Sequence, residues 1–165
     1  MIDSIVTWRG HRWLGLGARL YLGWVFVAAC LHKIAHPAVF ALDTATYDVL
    51  PLSLVNPVAI MLPWVELFAG VMLIGGLRVR AAAMMTSGMM VMFIVALVLA
   101  LHAGLDMSCG CFASQAMDED PIGTTTVLRD LSWLALGVYI MLFDREAIGL
   151  EQTLSPQTRE PDAVT

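Results

Sequence analysis

The stretch "AAAMMTSGMMVMFIVALVLAL", Ala81 to Leu101, contains no Asp, Glu, Lys or Arg. It matches the roughly 20 apolar residues that carry a helix across the hydrocarbon core of a bilayer. Three further apolar runs lie around it: Leu14 to Ile34, Val58 to Leu77 and Val127 to Phe143, the last being the shortest. The 165-residue chain is 59% hydrophobic and only 14% charged, with a mean hydropathy of +0.77, which is far from the makeup of a soluble globular domain. A helix satisfies its own backbone hydrogen bonds in lipid, so the expected fold class is all-α, an integral membrane four-helix bundle. Residues 1–13 then form a short N-terminal segment, 14–143 the bundle, and 144–165 a polar, disordered tail containing Pro156 and Pro161.

Basic residues set the expected orientation, because Lys and Arg are retained on the cytoplasmic side. Arg9 and Arg12 precede the first run, Arg78 and Arg80 fill the tight second connection, and Arg145 follows the fourth run. The third connection is acidic, with Asp106, Asp118, Glu119 and Asp120. Both termini are therefore expected in the cytoplasm, with the third connection outside. The net charge of −5 comes largely from loops and tail, and no basic stripe suggests nucleic acid. "VAAC", Val27 to Cys30, resembles a lipoprotein cleavage box, but the apolar run continues past Cys30 and the bundle needs this helix, so retention is expected.

Ionisable residues inside a bilayer are costly and normally face the bundle interior with a partner. On the first helix Arg19, Gly23, Phe26, Cys30 and Lys33 recur at spacings of three and four and share one face. Glu66 falls near the middle of the second helix, with Pro63 and Gly70 on its face. At about 1.5 Å rise per residue, Arg19 and Glu66 differ in depth by less than two turns, so an Arg19–Glu66 pair is expected, either locking two helices or handling protons below a redox site. Arg129 and Asp130 open the fourth helix. Asp130 is expected to cap it or to pair with Lys33; Arg129 either reaches the interface or holds a thiolate or a partner's carboxylate. His32, His36 and His102 are expected near the outer interface, at a spacing not diagnostic of a metal site, and no metal is expected.

The segment "MSCGCFAS", Met107 to Ser114, places two of the three cysteines one glycine apart. Outside the cytoplasm disulfides form and persist. A ring this small departs from ideal disulfide geometry and braces little chain, so it suits exchange better than stapling. Redox exchange by Cys109 and Cys111 competes with an inert disulfide and with metal binding. Lys33 and Arg129 are the cations placed to raise thiolate character. Cys30, on the inward face, is either a small buried hydrophobe or a third thiol.

"LHKIAHPAVF", "YDVLP", "LPWVELFAG", "CGCF" and "VLRDLSWL" together resemble the methylamine utilisation protein MauE family, within the DoxX-like membrane proteins. The resemblance spans roughly Leu14 to Phe143. It points to Lys33, Pro37, Phe40, Tyr47, Pro51, Pro63, Glu66, Cys109, Gly110, Cys111, Phe112, Arg129 and Asp130. Cys30 stands where relatives carry a small residue, and Ala113 replaces a usual glycine. The resemblance implies a bacterial inner-membrane protein needed for maturation of methylamine dehydrogenase, working beside a periplasmic thioredoxin-fold partner as a disulfide or electron relay. The activity implied is that of a thiol–disulfide oxidoreductase or its relay subunit. A quinone would complete the circuit by analogy with other four-helix disulfide-generating membrane proteins. Two other functions stay open: a non-catalytic assembly factor whose cysteines merely close a loop, and a quinone-linked subunit in which the pocket below Glu66 matters more than the thiols.

Overall fold

The computed structural model describes residues 9–47, 49–104 and 124–143. Among them are five helices and no strand: α1 (Arg9–Ala35), α2 (Pro37–Thr46), α3 (Leu52–Gly75), α4 (Val79–His102) and α5 (Thr124–Phe143). Stretches of α1, α3, α4 and α5 are long and apolar enough to cross a membrane. Their outer surfaces are hydrocarbon, with Trp24, Phe68, Met92 and Leu142 all more than half exposed. A soluble domain does not present such a contiguous apolar surface, whereas lipid requires one. The protein is an integral membrane four-helix bundle, with Leu22, Phe26, Leu73, Ala83, Met90 and Ile140 in its core.

The helices extend past the apolar runs that announce them. α1 begins at Arg9 rather than Leu14, and α3 at Leu52, six residues before Val58. Pro57 and Pro63 both lie inside α3. Each removes one backbone hydrogen bond, a loss that a helix packed among neighbours tolerates. The short α2 has no counterpart in the hydropathy pattern. Pro37 presets its first turn and needs no donor there, and the same ring disfavours helical angles at His36. His36 accordingly sits at φ −129°, ψ 63°, and the chain breaks between α1 and α2 at that residue.

α3 turns into α4 within a few residues. Gly76 adopts φ 67°, ψ 34°; its N–H reaches the Leu73 carbonyl and the Leu77 N–H the Met72 carbonyl, a Schellman closure that favours glycine at this place. α1 and α3 cross at Gly23 and Gly70. A Cβ on Gly23 would lie 2.9 Å from the Gly70 carbonyl oxygen, so the two backbones meet at a distance that only glycine allows. Successive spanning helices run antiparallel. The C-terminal ends of α1 and α4 and the N-terminal ends of α3 and α5 therefore share one end of the bundle, with the Arg78–Arg80 turn at the other.

Candidate functional site

Near the first of these ends, Lys33 of α1 donates to both carboxylate oxygens of Glu66 on α3, at 2.8 and 2.9 Å. Both side chains are about nine-tenths buried, and the Lys33 ammonium lies 4.9 Å from the centre of the Phe40 ring of α2. This replaces the expected Arg19–Glu66 pair, and the reason is the tilt of helical side chains. Each Cα–Cβ bond leans toward its own helix N-terminus. In antiparallel α1 and α3 that tilt brings Lys33 and Glu66 toward one another from opposite ends. It directs Arg19 away from Glu66, toward the Arg9 end of α1. Arg19 is nonetheless fully inside the bundle, at 2% exposure, and has interactions of its own there.

Asp130 does not cap its helix. α5 begins at Thr124, which puts Asp130 seventh and beyond the first turn, where orphan N–H groups end. Its side chain is buried and accepts from the neighbouring Arg129 Nε at 3.2 Å through Oδ1; its other oxygen, Oδ2, is buried with no hydrogen-bond partner among the described residues. Lys33, the other partner considered for Asp130, is held by Glu66. The Arg129 guanidinium lies 4.8 Å from the Trp133 ring one turn on, and the Trp133 indole N–H donates to the Tyr21 hydroxyl of α1 at 3.3 Å. Arg129 thus ties α5 together along its own face, and Trp133 ties it to α1.

Lys33, Glu66 and Asp130 line one cavity of about 470 Å³, together with Tyr47, Phe93 and Trp133. All five helices or the turns between them contribute to its wall. Tyr47, just past α2, packs edge-on to Phe93 of α4 with ring centres 6.3 Å apart. Burial, reinforced by the carboxylates of Asp43 and Asp130, pushes the Tyr47 phenol up to about 12. In the unfolded chain it ionises near 10. The folded state therefore holds this proton more tightly, and stability falls as pH rises from about 10 to about 12. In an ultraviolet titration of the detergent-solubilised protein, a tyrosine should ionise in that window, and Tyr47→Phe should remove that step.

Cys30 is fully buried one turn from Lys33, and its thiol donates to the Val27 carbonyl at 3.1 Å. Cys109 and Cys111 lie outside the described residues, as do 1–8 and the tail after Phe143. The rings of His32 and His36 stand 5.1 Å apart, and among the described residues no group of three or more His, Cys, Asp or Glu side chains is placed to hold a metal ion. The cavity itself, and the part α2 plays in closing it, have no signature in the hydropathy pattern; Pro37 at a helix start was the available signal.

The chain matches the family described as methylamine utilisation protein MauE over residues 11–143, a span that takes in all four membrane helices and the cavity they enclose. The chain belongs to the MauE family. Two curated MauE proteins resemble it along most of its length. The methylamine utilization protein MauE of Paracoccus denitrificans is 32% identical over 141 residues, covering 85% of this chain and 70% of that protein. The protein of the same name from Methylophilus methylotrophus is 30% identical over 135 residues, covering 81% and 70%. No solved structure matches the chain significantly. In this MauE-family chain the buried Lys33–Glu66 pair and the buried carboxylate of Asp130 line one cavity within a largely apolar bundle.

Proposed function

We propose that this MauE-family protein is a thiol–disulfide relay of the bacterial inner membrane, supporting maturation of exported proteins in methylamine utilisation. Its working groups are Cys109 and Cys111, on the extracytoplasmic side. The observation that carries the reading is topological: the Cys-Gly-Cys sequence falls in the connection between Gly104 after α4 and Thr124 of α5, the two helices that, with α1 and α3, wall the polar cavity. The arginines of the α3–α4 turn, Arg78 and Arg80, support a cytoplasmic placement of the opposite end.

The chemistry is a balanced exchange. A thiolate of one protein attacks a disulfide of the other, a mixed disulfide forms, and the second thiol of the attacking pair resolves it. One disulfide is lost and one gained, with two electrons passing between the proteins. The partner is a periplasmic thioredoxin-fold protein. Lys33, held by Glu66, and Arg129, held by Asp130 and Trp133, are positioning groups at this end of the bundle. Cys30, buried and bonded to its own helix, packs rather than exchanges.

Maleimide mass-tagging of Cys109 and Cys111 in membranes, with Cys30 replaced by alanine, tests this across thiol–disulfide buffers of graded potential. A reversible two-electron transition at a moderately oxidising potential is expected. A pair that never oxidises, or that resists strong reductant, would turn the assignment to a docking subunit that acts without thiol exchange.

A further inference from the structure

The cavity beside the Lys33–Glu66 pair carries more chemistry than the thiol exchange requires. Each charged group that lines it is paired with an opposite charge, Lys33 with Glu66, and Asp130 with Arg129, which lies outside the lining; this disfavours an ionic occupant. Among the described residues that line the cavity one acceptor is left over: Asp130 Oδ2, fully buried and without a hydrogen-bond partner there. Lys33 has a third N–H beyond the two directed at Glu66. A hydroxyl group answers both, because it donates to the carboxylate oxygen and accepts from the ammonium. The remainder of the wall is mostly apolar and rich in rings, including Phe26, Phe40, Tyr47 and Phe93. Such a wall takes a planar aromatic body by edge and face contacts.

The size and the mouth agree with this chemistry. A volume of about 470 Å³ falls within the span of about 300–1,000 Å³ common to small-molecule sites. Val91, Met92 and Val95 of α4 line the cavity and are also among the exposed residues of that helix. Those residues face lipid, so entry is from the bilayer rather than from water. We propose that the cavity is a binding site for a neutral, lipid-soluble ligand with a hydroxylated aromatic head and a hydrocarbon tail, the chemical class of the alkylated phenols, whose hydroxyl meets Asp130 and Lys33. This assignment does not rest on the thiol relay.

The test is photolabelling of the full-length protein in lipid nanodiscs with a 4-alkylphenol bearing a diazirine in its tail, the label being located by mass spectrometry. Labelling should concentrate on α3 and α4 residues of the cavity. It should be competed by 4-decylphenol about tenfold better than by its methyl ether, which has lost the donor, a ratio in the range of one hydrogen bond to a charged group. Asp130→Leu should weaken capture of the phenol to a similar degree, whereas Asp130→Asn, which keeps an acceptor, should retain it. Met92→Trp, at the lipid-facing mouth, should reduce labelling without touching the polar groups. Cys109→Ser with Cys111→Ser should leave labelling unchanged, which separates this site from the relay. Equal competition by phenol and ether, or label spread over the lipid-facing surface and indifferent to Met92→Trp, would overturn the proposal.

Discussion

Replacing Glu66 with leucine should destabilise the protein by about 3–5 kcal/mol, the loss expected when one partner of a buried ion pair is removed and the other charge is stranded. Lys33 would keep its ammonium inside the bundle, at 8% exposure, with the Phe40 ring as its remaining close contact. Glu66→Gln should cost less than leucine, because an amide oxygen still accepts one of the two hydrogen bonds. The decisive variant is the double one. Lys33→Met with Glu66→Leu removes both charges and fills the space with side chains of similar size, and it should recover most of the lost stability. Cys30 supplies the readout, since it is fully buried and reacts with a maleimide dye only as the bundle opens. Thermal unfolding followed by that reaction, in a Cys109→Ser, Cys111→Ser background, should rank the four proteins as wild type, double variant, glutamine, leucine. A double variant no better than Glu66→Leu would show that the pair is needed for more than neutralising its own charges.

The ion pair also shows how much of this site is legible in the sequence. The inward face of α1 is read correctly from spacing alone: Arg19, Phe26, Cys30 and Lys33 are all at least nine-tenths buried. The same holds for Pro63, Glu66 and Gly70 on α3. Which buried cation meets the carboxylate is not read correctly, because counting residues along two helices gives the depth of each Cα and ignores the lean of the side chains. Asp130 illustrates a second limit. Its role as a cap depends on where α5 starts, and hydropathy places that start at Val127, whereas the helix is already formed at Thr124. α2 is a third case. Leu42 and Val39 are apolar but exposed, and the helix has no buried residue, so no periodic contrast between faces betrays it. The cavity depends on all three features at once, which is why composition announces the bundle and stays silent about the space inside it.

Gly23→Leu should separate α1 from α3 and with them the two halves of the ion pair. A Cβ on Gly23 would come within 2.7 Å of Ile74 Cγ1 and 2.9 Å of the Gly70 carbonyl oxygen. The first contact can be relieved by a side chain turning away. The second cannot, because the carbonyl belongs to the backbone of α3 and yields only if the helix moves. Overpacking of this kind typically costs about 1–3 kcal/mol in a well-packed core. Leucine should reach or exceed the upper end, since its remaining atoms extend from a Cβ that already clashes. Gly23→Ala should be milder, and combining it with Ile74→Ala should restore only part of the loss, leaving the carbonyl contact in place. Gly70→Ala provides the reciprocal check, its Cβ meeting the Gly23 carbonyl oxygen and Val27 Cγ2, each at 3.0 Å. The link to the site is geometric. Lys33 and Glu66 meet at 2.8 Å because α1 and α3 are held at glycine distance a few turns away. A wedge at that crossing should therefore lower the melting temperature and, at temperatures well below melting, speed the reaction of the maleimide dye with Cys30. If full rescue followed from Ile74→Ala, the side-chain contact would be the operative one, and the close approach of the two backbones would not be what sets the ion pair in place.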